Sequence, residues 1–141
     1  MKQATVILIV EDNPGDVRLI QEALKMSSII ITLYFTRDGV EATHFLETRK
    51  REPSNGFPQL IVLDLNLPKK SGFEVLEFVK RDEMLKRIPV IVLSSSQNPE
   101  DIVKAYDLHA NCYLNKPANF NGFTDIVKAI EYFLIRTTNL P

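Results

Sequence analysis

The chain predicts an α/β protein, a doubly wound parallel sheet with helices on both faces. Two observations carry this. Five short apolar runs rich in Val and Ile recur along the chain, and four of them lack the polar alternation of a half-exposed strand. Each run is followed by a segment with helical spacing of apolar residues, so strand and helix alternate throughout. Right-handed crossovers then make a parallel sheet the expected arrangement.

The first run is Val6–Val10. After it Asn13 can cap a helix, Pro14 suits its first position, and Val17, Ile20 and Leu24 recur at helical spacing up to Lys25. The second run spans Ile29–Phe35, and a helix from Asp38 to about Lys50 follows with Val40, Phe45 and Leu46 as its apolar contribution. One longer loop, "REPSNGFPQ", leads to the third run, Leu60–Leu63. Ser71 and Glu74 then have capping-box spacing, with Phe73, Leu76 and Val79 behind them. The fourth run is Val90–Leu93; Asn98, Pro99, Glu100 and Asp101 open a helix in which Ile102, Val103 and Tyr106 are expected to face the sheet. The fifth run is Cys112–Leu114, and Phe123, Ile126, Val127, Ile130 and Phe133 line the last helix. A four-residue run alone could equally be buried helix; the intervening helical segments resolve that ambiguity.

Length and charge narrow the function. At 141 residues the chain fits one domain, 1–141, able to bury roughly 68–70% of its unfolded surface. Seventeen basic and eighteen acidic side chains give a net charge of -1, so no overall field draws the chain to nucleic acid or anionic lipid. No apolar run approaches membrane-spanning length. A single cysteine, Cys112, excludes an internal disulfide, and "MKQATVILIVED" lacks the pattern of a secretory signal; a cytoplasmic location is expected.

In doubly wound sheets ligands bind beyond the carboxyl ends of the strands. The residues there are Glu11 and Asp12 after the first run, Asp64 after the third, Ser94 after the fourth and Lys116 after "CYLN". Singly, each has an ordinary explanation, since acids favour helix starts and a polar residue must end any buried strand. Jointly they do not. Three carboxylates about 4 Å apart repel by roughly 4 kcal/mol per pair at an effective dielectric of 20. Lys116 neutralises one charge, and the remainder calls for a metal. Oxygen ligands without nearby His or Cys suit a hard divalent ion, Mg2+ above all. His44 and His109 fall within predicted helices and Cys112 in a buried strand, which makes them poor ligands. Magnesium, a lysine, a hydroxyl and one central carboxylate are equipment for phosphoryl transfer onto that carboxylate, Asp64. Ser94 and Lys116 would neutralise the incoming oxygens.

With "VEDN" (Glu11, Asp12), "VLDLNLP" (Asp64, Asn66), "VLSSS" (Ser94) and "YLNKP" (Tyr113, Lys116, Pro117) in order, the whole chain resembles a response regulator receiver domain of two-component signalling. The resemblance implies a CheY-like, flavodoxin-like (βα)5 fold with strand order 2-1-3-4-5. It implies that Asp64 takes a phosphoryl group from a sensor histidine kinase, and that Glu11, Asp12, Asp64 and the backbone carbonyl of Asn66 hold Mg2+. It also implies a cis Lys116–Pro117 bond. Ser94 and Tyr113 would form the switch, altering the face built from the fourth helix, fifth strand and fifth helix; the ordinary alternative for Tyr113 is packing on the sheet. Two positions depart from the family pattern: Ser95 stands where alanine is frequent, and the aromatic residue after the Lys-Pro pair is displaced to Phe120. "AYDLHANCYLNKP" and "LDLNLPKKSG" resemble more narrowly the single-domain regulators associated with cyanobacterial-type phytochromes.

Tyr132–Ile135 are four successive apolar residues that no single helix stripe can cover, which predicts a homodimer through the fifth helix and its neighbours, although a frayed end tucked against the domain is the plainer reading. Two other functions compete. A haloacid-dehalogenase-type phosphatase would need a second aspartate where Asn66 stands, and a phosphorylation-independent binding module would not need the intact set Glu11, Asp12, Asp64, Ser94 and Lys116. The expected protein is a signalling phosphoacceptor and not an enzyme with an external substrate.

Overall fold

A computed structural model of the chain describes residues 5–138. The elements alternate as β1 (Thr5–Val10), α1 (Pro14–Leu24), β2 (Ile31–Thr36), α2 (Gly39–Arg51), β3 (Leu60–Leu63), α3 (Gly72–Arg81), β4 (Val90–Ser94), α4 (Pro99–Asp107), β5 (Cys112–Asn115) and α5 (Phe120–Thr138). All strand pairs are parallel and the sheet order is β2-β1-β3-β4-β5. The predicted fold class and order are those observed.

Period-two alternation explains why the strands read as continuous apolar runs. Ile7 and Ile9, Leu60 and Val62, and Ile91 and Leu93 point into a core shared with α1 and α5. Leu8 and Val10, Ile61 and Leu63, and Val90 and Val92 point into the other, shared with α2, α3 and α4. Every residue of β3 and β4 is buried, so the first position free to be polar is the strand's end. That places the polar residues on one edge.

The caps follow the sequence reading. Asn13 accepts from the Asp16 N–H with Pro14 at the first turn, Asp38 accepts from Glu41, and Ser71 and Glu74 form a complete capping box. Three details differ from expectation. Val40 is exposed, and α2 buries Ala42, Thr43 and Leu46 instead. In α4 the sheet-facing residue is Ala105, whose small side chain brings the helix close, while Val103 and Tyr106 are about half exposed. His109 lies beyond α4: with φ 72° it takes the left-handed position of a helix-ending motif in which its N–H donates to Tyr106 O and that of Ala110 to Ala105 O. Among the described residues no helix is long and apolar enough to cross a membrane.

Candidate functional site

Three strand ends build the site. The Glu11 N–H donates to Thr36 O at 3.0 Å and the Asp64 N–H to Val10 O at 3.0 Å, so the ladder continues one residue past β1 and β3 and fixes both backbones. From β5, the Lys116 N–H donates to Ser94 O at 2.8 Å, which ties the lysine to the end of β4. Gly72 at the start of α3 lies directly against this edge. A Cβ there would stand 2.3 Å from Asp64 O and 2.5 Å from Leu65 Cα, so only glycine permits the approach.

The Lys116 ammonium reaches Glu11 Oε2 at 2.8 Å, Asp16 Oδ2 at 2.9 Å and Asp64 Oδ2 at 3.0 Å. Glu11 and Asp64 are 3% and 4% exposed, Lys116 13% and Asp16 25%. Asn13 N–H donates to Glu11 Oε1 at 3.1 Å and Asn66 N–H to Asp64 Oδ1 at 3.2 Å. Burial pushes the Glu11 carboxyl up to about 7; the Lys116 bond opposes this and the nearby Asp64 charge adds to it. Burial also acts against the Lys116 ammonium, but bonds to Asp16, Glu11 and Asp64 outweigh it and hold the lysine above its ordinary value.

The residues present fit a hard divalent cation. One oxygen from each of Glu11, Asp12 and Asp64 lies within 4.8 Å of the others. The donors are all carboxylates, and the Lys116 ammonium is shared among Glu11, Asp64 and the neighbouring Asp16. Burial disfavours the charged form of Glu11, and a bound cation would offset that cost.

The structure thus brings Glu11, Asp12, Asp64 and Lys116 together. Ser94 is fully buried at the end of β4, where its Oγ accepts from the Ser96 N–H at 3.1 Å. Tyr113 is half-buried; its hydroxyl donates to Ser96 O at 2.8 Å and its N–H to the Tyr106 hydroxyl at 3.1 Å. His44 and His109 are exposed and stand outside the acidic cluster, as does Cys112. The expected cis bond at Pro117 is corrected: no described peptide bond is cis. Trans is the lower-energy form of an X–Pro bond by about 0.5–1 kcal/mol, and Lys116 makes all its contacts from it.

Asp16 is the site residue that the strand-end rule missed. It sits on the first turn of α1, not at a strand end, yet bonds a lysine a hundred positions away. Its signal was present: a helix beginning just past β1 must start at the same sheet edge, so an acid in its first turn belongs there.

The family model for the response regulator receiver domain matches residues 7–130. Response regulator Rcp1 of Synechocystis sp. is 48% identical over 136 residues, 96% of this chain and 92% of that protein. The crystal structure of the phosphorylated cyanobacterial phytochrome response regulator RcpA superposes with a TM-score of 0.87 at 50% identity, covering 99% of both chains. The Mn(2+)-bound form of Rcp1 gives 0.84 at 47% identity, covering 97% of this chain and 99% of that one. With the family model matched over most of its length and a relative 48% identical across nearly the whole of both chains, the chain belongs to the response regulator receiver domain family of two-component signalling.

Proposed function

We propose that the chain acts as a response regulator whose receiver domain accepts a phosphoryl group on Asp64 from a sensor histidine kinase. The observation that carries this is the Lys116 ammonium 3.0 Å from a 4%-exposed Asp64 carboxylate, beside Glu11 and Asp12. An oxygen of Asp64 forms the new bond to phosphorus as the phosphorus–nitrogen bond of a phosphoimidazole breaks, the electron pair remaining on the donor ring. Lys116 turns N–H groups toward the arriving oxygens, and Ser94 at the adjacent strand end donates to another. Glu11, Asp12, Asp64 and the Asn66 carbonyl would hold Mg2+, which supplies neutralising charge to the phosphoryl oxygens. The chain's own phosphorylation and dephosphorylation are then its only chemistry.

Signalling follows from the contacts around Ser94. Drawing its hydroxyl toward the phosphoryl group loosens its bond from Ser96, whose carbonyl holds the Tyr113 hydroxyl. Tyr113 and Ser94 are therefore the switch, and the α4–β5–α5 face is the output. Similarity to RcpA, a phytochrome response regulator, supports a phytochrome-type kinase as the partner. On α5, Leu134 is buried while Tyr132 and Ile135 are about half exposed, which supports a homodimer through this helix. No nucleic-acid contact and no membrane contact enter the reading, and the working place is the cytoplasm.

The test is incubation with acetyl phosphate and Mg2+. Acid-stable, base-labile labelling that is lost in Asp64→Asn supports the proposal, and an unlabelled wild-type protein refutes it. A particle mass corresponding only to monomer at tens of micromolar would remove the homodimer from it.

A further inference from the structure

An ammonium has three N–H donors; Lys116 donates to Asp16 Oδ2 and Asp64 Oδ2 and pairs with Glu11 Oε2 at 2.8 Å. The three acids are not equivalent. Glu11 and Asp64 belong with Asp12 to the oxygen cluster that fits a divalent cation; Asp16 lies outside it. Glu11 and Asp64 are nearly inaccessible, whereas Asp16 is a quarter exposed on the first turn of α1, its backbone N–H held by Asn13 Oδ1 at 3.1 Å.

Phosphorylation changes two of these partners and spares the third. A cation bound by the cluster competes with the ammonium for Glu11, and the Asp64 oxygen that bonds phosphorus is no longer a free carboxylate. Asp16, which belongs neither to the oxygen cluster nor to the acceptor, is engaged by neither change. The ordinary explanation of an acid in a first helical turn is its favourable interaction with the helix dipole. That accounts for an acid on α1 but not for a 2.9 Å contact with the lysine that follows β5.

We infer that Asp16 is a positioning residue for phosphoryl transfer, anchoring the Lys116 ammonium at the mouth of the site while its other N–H groups pass from Glu11 and Asp64 to the incoming phosphoryl oxygens. The inference rests on the reading of Asp64 as the phosphoacceptor. Lysine carries its charge on a flexible four-carbon stem, so an ammonium without this anchor is held only by the two acids that must release it. Asp16 forms and breaks no covalent bond. With acetyl phosphate as donor, the phosphorus–oxygen bond to acetate breaks, acetate leaves with the electron pair, and Asp64 supplies the new oxygen.

Wild type, Asp16→Asn, Asp16→Ala and Asp16→Glu are labelled with acetyl phosphate at saturating Mg2+, with the rate followed by intact mass and folding checked by thermal melting. Asn keeps the shape and removes the charge. The expected result is slowing on the order of tenfold in the Asn and Ala variants, the worth of one charge-assisted hydrogen bond. Glu should restore most of the rate. A folded Asn variant that labels at the wild-type rate, or a Glu variant as slow as Ala, overturns the inference while leaving Asp64 as acceptor. An unlabelled wild type overturns both.

Discussion

Replacing Lys116 with Met tests the electrostatics of the site before any phosphoryl donor is added. The substitution keeps an apolar stem of similar reach and deletes the cation. It leaves Glu11 and Asp64, 3% and 4% exposed, facing each other without a counter-ion. Deleting one partner of a buried ion pair costs about 3–5 kcal/mol, because the remaining charge stays buried. Glu11 limits the loss: burial has already raised its carboxyl to about 7, so it takes up a proton in the variant at little further cost. The expectation is therefore the low end, about 3 kcal/mol, out of a total of 5–15 kcal/mol for a domain. Urea unfolding at neutral pH with chelator present reads this directly, as a midpoint lowered by roughly 1.5 M for a slope near 2 kcal/mol/M. Adding Mg2+ should stabilise the variant more than the wild type, since no ammonium opposes the cation. Combining Glu11→Gln with Lys116→Met should recover at least half of the loss. A single variant within 1 kcal/mol of wild type in chelator would show that the lysine does not balance these acids.

Further substitutions probe the frame around the site. Gly72→Ala forces a methyl against Asp64 O and Leu65 Cα and should destabilise by about 1–3 kcal/mol, with amide shifts of Asp64 and Leu65 in an NMR spectrum; an unshifted spectrum contradicts the close approach. Tyr113→Phe removes the hydroxyl bonded to Ser96 O and should lower stability by about 1 kcal/mol in urea unfolding, with no loss if that bond is not made. Asp82 accepts from the N–H groups of Met84 and Leu85 and pairs with Lys50; burial raises its carboxyl, but these contacts outweigh burial and hold it below the ordinary 3.8. A carboxyl lowered in the folded state stabilises fully above its unfolded value and loses that contribution as pH falls through the folded one. Asp82→Ala should thus cost about 1–2 kcal/mol at pH 7, and its gap from wild type should close below pH 3.8; a gap that widens in acid reverses the sign.

Most of the site was legible because of how the sheet is buried. A strand covered on both faces admits no polar residue, so Glu11, Asp64 and Ser94 announce the edge by being the first polar residues to follow or end their runs, and Lys116 follows directly on the end of β5. Parallel pairing then places those ends together without further information. What depends on the rotation of a helix about its axis was harder to see. Val103 and Tyr106 have the spacing of a buried stripe, yet α4 turns Ala105 inward and uses the Tyr106 hydroxyl to receive the outward N–H of Tyr113 on the edge strand. His109 hid the end of α4 because the left-handed position that glycine usually marks is filled by a residue with no such signature. Asp16 escaped for a related reason: its role follows from the reach of Lys116 across the sheet edge, which no local pattern records. The trans bond before Pro117 likewise departs from what the family resemblance implied.

The central claim is that Asp64, among all the carboxylates of the chain, becomes the acyl phosphate. Borohydride reduction after treatment with acetyl phosphate and Mg2+ converts a phosphorylated aspartate to homoserine, which peptide sequencing by mass spectrometry can locate. The account predicts homoserine at Asp64 and at no other position. Homoserine at Asp12 or Asp16 instead, or none at all in folded protein, would contradict it.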